Sequence, residues 1–331
     1  MNATFRPEAY QEALRQAAAY IRDGDDFLVV SHLSPDGDAI SSTSAIGFIL
    51  QALGKTYTLI NEGRTPEKYK HLLGGQPIVD YEREAPNRRF ERIIAVDCAD
   101  FARIGAVHNV FSDNAALLNI DHHPTNDDYG AINLIKPTAA ATVEIIYELA
   151  ETLGIAWTKP LATCIYAGLL TDTGGFRYSN TTPQVMAVAE RMLRHGAEGA
   201  ALAEQLLETM TYPQMMLLKE ALSTLTFTEN RKIAWLSVTK ETLDKLGAAE
   251  EDTEGLVNLP RNVAGVEVGL LFKEKAPGTV KVSLRSAGNV DVSRLAKSFG
   301  GGGHVRAAGC TISGTVDDAV RRMVEAVSEQ L

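Results

Sequence analysis

Two rhythms of apolar and polar positions run through this 331-residue chain. Over residues 8–22 apolar side chains recur at helical spacing and stop at Gly24, which predicts an amphipathic helix. The run Phe27-Leu28-Val29-Val30 predicts a buried strand. Residues 39–53 carry a wide apolar band closed by Gly54, a second helix, and residues 55–61 alternate as a second strand. Residues 62–87, with Gly74-Gly75, Pro77 and Pro86, read as helix ends and loop. Ile93-Ile94-Ala95-Val96 is a buried-type strand that stops at Asp97, and residues 115–120 repeat the arrangement before Asp121-His122-His123. Helices follow at about 138–153 and 160–170, the latter running into Thr171-Asp172-Thr173-Gly174-Gly175. Strands that each end in a ligand-type residue, with helical patterns between them, argue for a parallel sheet with one catalytic edge.

Residues 183–194 and 198–209 are helical. Beyond Leu222 the texture changes to strand pairs, 225–229 with 233–238 and 266–273 with 279–284, and the chain closes with a helix over about 316–328. The expected fold is α/β: a parallel-sheet domain over 1–187, a helical linker over 188–222, and a smaller α/β domain with a mixed sheet over 223–331.

Composition narrows the function. The 45% hydrophobic content suffices for packed cores, and 32 Lys and Arg against 42 Asp and Glu leave a formal net charge of −10. With no long basic run, there is no track for long nucleic acid. A small anionic substrate stays open, because bound cations reverse the sign of an acidic pocket. Cys98, Cys164 and Cys310 lie far apart and read as buried small hydrophobes in a reducing compartment. The opening Met1-Asn2-Ala3-Thr4-Phe5-Arg6-Pro7 lacks a signal-peptide layout, and no apolar run reaches the about 18 residues of a membrane span. The expectation is a cytoplasmic protein without a membrane partner; association into a homodimer stays open.

The candidate chemistry lies in His32-Leu33-Ser34-Pro35-Asp36-Gly37-Asp38, where one imidazole and two carboxylates crowd the C-terminal end of a strand, the edge where open α/β sheets place their ligands. Asp97, the Asp121-His122-His123 triplet and Asp172 supply the same ligand types. Oxygen and imidazole donors without a thiol suit Mn²⁺ or Mg²⁺ better than a structural zinc. Each residue has an ordinary alternative: His32 a satisfied strand-end histidine, Asp97 a helix cap, Asp172 a turn cap beside Gly174, and 121–123 a solvated loop. Asp100 reads as a surface carboxylate, and His71, His108 and His195 stand outside any cluster.

Taken in order, His-x3-Asp-x-Asp at 32–38, Asp97 after a strand, Asp-His-His-Pro at 121–124 and Thr-Asp-Thr-Gly-Gly-Phe at 171–176 resemble the motifs of the DHH phosphoesterases. Gly-Gly-Gly-His at 301–304 resembles the mark of their C-terminal DHHA1 domain, and the two-domain layout looks most like the oligoribonuclease and pAp-phosphatase (nanoRNase) branch. The resemblance implies two divalent ions, Mn²⁺ before Mg²⁺. His32, Asp36 and Asp97 would hold the first; Asp38, Asp97, His122 and Asp172 would hold the second, with Asp97 bridging. Such ions, about 3.5–4 Å apart, clamp a shared water for in-line attack on phosphorus. Asp121 would orient a histidine ring, and His123 would contact phosphate or donate a proton to the departing oxygen. Arg285 and Ser286 at a strand end, with Gly302, Gly303 and His304, would contact the substrate phosphate. Arg103 and Asn126 could also face a cleft between the domains, which would close on a short substrate.

The implied function is hydrolysis of short RNA or DNA oligonucleotides, including pApA-type dinucleotides, to 5′-mononucleotides by P–O3′ cleavage, and of adenosine 3′,5′-bisphosphate (pAp) to AMP. Rivals are a cyclic-di-AMP or pApA phosphodiesterase, a RecJ-like single-strand exonuclease, a family-II pyrophosphatase and a non-catalytic nucleotide sensor.

Overall fold

Short aliphatic and β-branched runs become strands buried on both faces, as a parallel sheet under two layers requires. The computed structural model describes residues 7–331, and its contacts divide the chain into two units, Met1–Thr209 and Met210–Leu331. Residues 1–6, most of the opening read above as lacking a signal-peptide layout, lie outside the described residues. The division falls inside the span expected as a linker.

The first unit contains α1 (Pro7–Asp23), β1 (Phe27–Val30), α2 (Gly37–Ala52), β2 (Tyr57–Asn61), β3 (Ile78–Asp80), β4 (Phe90–Val96), β5 (Phe111–Asp121) and β6 (Ile132–Ile135), then α3 (Thr142–Leu153), α4 (Lys159–Asp172), α5 (Pro183–Arg194) and α6 (Gly199–Ala203). The strands form one six-stranded sheet in the order β3-β2-β1-β4-β5-β6. Every pairing in it is parallel. Chain order reverses between β1 and β4, so the crevice at their carboxyl ends is the natural ligand position of this topology. His32 follows β1 and Asp97 follows β4.

Alternation along β1 distributes the core. Phe27 and Val29 join the cluster built with α1 to α5, whereas Leu28 and Val30 pack on the other face with Ile104, Val107 and Val110 of a 3-10 segment, Phe101–Val110. Residues of α5 and α6 such as Val188, Met192 and Leu202 also sit in the first of these cores.

The second unit contains α7 (Tyr212–Ser223), β7 (Thr226–Phe227), β8 (Ile233–Val238), α8 (Lys240–Leu246), α9 (Asn258–Arg261), β9 (Val268–Ala276), β10 (Thr279–Ser286), α10 (Val292–Ser298), β11 (Gly302–His304), β12 (Ala307–Ser313) and α11 (Val316–Ser328). Its sheet, β11-β12-β10-β9-β8-β7, is mixed: β8 and β9 run parallel and the other pairs antiparallel. One face buries Val282, Leu284 and Ala308 against α10 and α11. The other carries a core over β8 and β9 made with α7, and no residue of β10 or β12 belongs to it.

Sequence expectation and structure differ in places. The helix expected from about residue 138 starts at Thr142, because Lys136 to Ala141 are held by other bonds: Ala139 N–H donates to Lys136 O, and Ala140 N–H to the Glu144 carboxylate. β3 lies where helix ends and loop were expected, and β6, β11, β12, the helices α8, α9 and α10 and the 3-10 segment had no expected element. Among the described residues no helix is long and apolar enough to cross a membrane.

Candidate metal centre

Four stretches of chain deliver the candidate ligands to the carboxyl edge of the first sheet. After β1, Asp36 caps α2, accepting from the N–H groups of Asp38 and Ala39 at 3.1 Å each, so both carboxylates of the motif are set by one helix start. Close packing brings α4 against them. A Cβ on Gly37 would lie 2.5 Å from the Thr171 side chain, and one on Gly168 2.7 Å from Asp38 Oδ1. Glycine at these two positions lets Asp172, the last residue of α4, reach the same space as Asp38. Asp97 follows β4 in the left-handed conformation at φ 54°. For a non-glycine residue this costs on the order of 1 kcal/mol, the kind of local strain that collects at functional sites.

The groups converge. Asp97 Oδ2 is 3.6 Å from His32 Nε2, and Asp97 Oδ1 is 3.6 Å from His122 Nε2. His122 Nε2 is also 3.4 Å from Asp172 Oδ2. Ligand-type atoms gather in three overlapping groups, each within 4.8 Å: His32, Asp36 and Asp97; Asp38, His122 and Asp172; Asp97, His122 and His123. The His122 Nδ1–H points to Ala139 O at 3.3 Å, which leaves Nε2 for the cluster. Asp121 is fully buried; it accepts from His123 Nδ1 at 2.7 Å and from Asn126 Nδ2 at 2.6 Å. Asn126 therefore holds Asp121. Asp100 accepts from Arg103 N–H and caps the 3-10 segment, apart from the cluster.

The electrostatics call for cations. Asp38 and Asp97 are 0% and 2% exposed, and among the described residues no lysine or arginine pairs with Asp38, Asp97 or Asp172. Burial, followed by repulsion from the neighbouring carboxylates, pushes both Asp38 and Asp172 well above the usual carboxylate range. Burial acts the same way on Asp97, but the neighbouring imidazoles of His32, His122 and His123 outweigh it and hold Asp97 low. Burial disfavours the charged form of His123, yet its bond to Asp121 raises it overall. Buried anions without counter-charge, flanked by imidazole nitrogens and free of thiols, suit hard divalent cations. The residues fit the metal that the sequence implies.

Sequence reasoning passed over one contributor. At the start of α3, the Thr142 hydroxyl donates to Asp97 Oδ1 at 2.9 Å, its N–H donates to Asp38 Oδ2 at 2.6 Å, and Val143 N–H donates to Asp38 Oδ1 at 3.2 Å. The sole signal for it in the sequence is a hydroxyl residue opening an apolar helical run.

In the second unit, register aligns Arg285 with Ala307 and Ala307 with His304, one row across β10, β12 and β11. Residues in such a row share a face, here the one opposite Leu284 and Ala308 of the core. Gly303 and His304 are exposed, and a Cβ on Gly302 would meet open space. Gly303, at φ 138°, instead packs closely on Ala307 and Ala308, so strand packing alone requires that glycine. Ser286 stands on the opposite face, 5% exposed, with its hydroxyl accepting from Gly288 N–H at 3.0 Å.

The three cysteines are free and buried. Burial raises Cys98 to about 12 and Cys310 to about 11, which removes them as nucleophiles near neutral pH.

Comparison with known proteins agrees with this geometry. The N-terminal domain model of the DHH family matches residues 26–169, and the DHHA1 domain model matches 230–331. The bifunctional oligoribonuclease and PAP phosphatase NrnA of Thermus thermophilus is 35% identical over 97% of this chain and 95% of its own length. The protein of the same name from Bacillus subtilis is 28% identical over 91% and 92%. Among solved structures, an exopolyphosphatase-related protein from Bacteroides fragilis superposes with a TM-score of 0.88 at 28% identity, covering 96% of both chains.

Proposed function

The chain belongs to the DHH phosphoesterases that carry a DHHA1 domain, and from that premise we propose that it hydrolyses short oligonucleotides to 5′-mononucleotides and pAp to AMP. The observation that carries this reading is the convergence of His32, Asp36, Asp38, Asp97, His122 and Asp172 at one sheet edge, where among the described residues no lysine or arginine pairs with Asp38, Asp97 or Asp172. Relatives named oligoribonuclease and PAP phosphatase, matched over nearly their whole length, support the substrate class.

In this reading His32, Asp36 and Asp97 would hold one divalent ion, and Asp38, Asp97, His122 and Asp172 would hold a second. The donor set suits Mn²⁺ or Mg²⁺, and the family resemblance favours Mn²⁺. Bound cations supply Lewis-acid charge for the phosphate and make water a better nucleophile at neutral pH. The protein's own part is proton handling and orientation. Asp121 fixes His123 through Nδ1, which leaves Nε2 to meet the substrate. Water adds to phosphorus and gives up a proton to solvent, the P–O3′ bond breaks, and His123 gives its proton to the departing O3′ and regains one from solvent. In pAp the same ester bond is present without a second nucleoside, so one site serves both substrates. Arg285 and His304, in one row on the face of the second sheet away from the α10/α11 core, supply positive charge and donors for a terminal phosphate. Three buried free cysteines accord with a reducing, cytoplasmic setting.

The test offers the purified protein, with Mn²⁺, a dinucleotide, pAp, a long single strand and pyrophosphate in parallel, with a chelator control. Hydrolysis of the first two that stops on chelation is expected. Turnover of pyrophosphate alone, or of the long strand in preference, overturns the reading. Arg285→Ala is expected to raise KM on the dinucleotide about tenfold or more with little change in kcat, the size of a lost charged hydrogen bond. An unchanged KM removes Arg285 from the substrate contacts.

A further inference from the structure

A bridging carboxylate works only if it keeps one oxygen for each of its two clients. Asp97 has that division: Oδ2 faces His32 and Oδ1 faces His122, each at 3.6 Å. Its backbone is anchored by its N–H donating to Ile120 O at 2.9 Å. The two oxygens are not held alike: Oδ1, the one that faces His122, is the one the Thr142 hydroxyl reaches, so loss of that bond falls first on the His122 side. The Thr142 hydroxyl, fully buried and 2.9 Å from Oδ1, is an uncharged side-chain donor to this carboxylate.

The position of that hydroxyl is itself determined from outside the cluster. Lys136 N–H donates to Asp121 O at the end of β5, and the Lys136 ammonium pairs with Glu144 at 3.1 Å and Glu148 at 2.7 Å. Glu144, 4% exposed, also accepts from Ala140 N–H at 2.9 Å. The first turn of α3 is thus tied to the strand edge before it meets the carboxylates. Its two leading N–H groups, which would otherwise be unpaired helix-end donors, both go to Asp38. One short segment therefore sets Asp38 through its backbone and Asp97 through one hydroxyl, and a side-chain substitution at 142 separates the two functions.

We propose that Thr142 is a positioning residue for the metal centre: its hydroxyl pins Asp97 so that Oδ1 is presented to the group of His122, Asp38 and Asp172, and that group depends on it more than the group of His32 and Asp36. This rests on the two-ion reading above. Groups that orient a metal ligand without touching the metal are worth about 10–100-fold in metal affinity. Thr142→Val keeps the shape and the backbone N–H to Asp38 and deletes only the hydroxyl.

The experiment is calorimetric titration of the metal-free full-length protein with Mn²⁺, comparing wild type, T142V, T142A and T142S, with melting temperature as a check on folding. Wild type is expected to bind two ions. T142V and T142A are expected to weaken one of the two sites by roughly 10–100-fold and leave the other within about threefold; T142S is expected to bind as wild type does. Two sites of wild-type affinity in T142V and T142A overturn the proposal, as does equal weakening of both sites, which is the mark of a general structural role. Should T142V fail to fold, T142A decides alone. A wild type that takes up no Mn²⁺ instead defeats the two-ion reading itself, whatever the variants do.

Discussion

Asp97→Asn is expected to lower kcat/KM on a dinucleotide by roughly a thousandfold, about 4 kcal/mol of transition-state stabilisation, with the fold retained. The size follows from position. Asp97 is the residue whose two oxygens face two separate ligand groups, so a neutral amide weakens both at once. Asparagine keeps the volume and offers one oxygen, to which the Thr142 hydroxyl still donates. The left-handed backbone at 97 suits asparagine as well as aspartate, so the strain does not grow. Steady-state kinetics at saturating Mn²⁺, beside a melting curve, decide the matter. A variant within tenfold of wild type contradicts the bridging role.

Removing the metal is the second large effect. Chelation is expected to lower the melting temperature of the first unit by several degrees at neutral pH, and re-addition of Mn²⁺ at about a hundredfold over its dissociation constant is expected to restore about 2.7 kcal/mol per site. The cause is the pair Asp38 and Asp172, whose pKa values are raised in the metal-free fold by burial and by neighbouring carboxylates. The sign follows directly. A carboxylate with a raised folded pKa holds its proton in the native state where the unfolded chain has released it. Metal-free stability therefore falls as pH climbs above the ordinary carboxylate range, and the penalty is full once pH passes the folded pKa values. Scanning calorimetry with and without chelator at acidic and neutral pH should find the gap widening toward neutrality. Asp38→Asn should narrow it by removing one of the two titrating carboxylates and by weakening Mn²⁺ binding. A melting temperature indifferent to both pH and metal counts against a buried anionic cluster.

Much of this is legible in the sequence. Ligand-type residues placed directly after apolar strand runs, at His32, Asp97 and Asp121-His122-His123, announce an edge of a parallel sheet, because strand length and side-chain type are local properties. The strong periodicity of α1, α5 and α11 made those helices equally clear. Weak elements escaped for an equally local reason. β3 and β6 span three and four residues and lack the unbroken apolar run that marks β1, and they exist because a neighbouring strand offers them a ladder. β12, with its Ala307-Ala308-Gly309 start, has little strand propensity and is made by pairing on both sides.

Chemistry divides the same way. Residue type and order named the candidate ligand-type residues and the class of ion such donors suit, since both follow from which donor atoms the chain carries. Only the tertiary structure decided which oxygen of Asp97 faces which histidine, that Asn126 secures Asp121, and that Thr142 reaches across 45 positions to Asp97. Those are facts of direction, and direction is set where α3 and α4 pack against α2, through close approaches at Gly37 and Gly168 whose partners are far away in sequence. A sequence names its donors; the packed fold aims them.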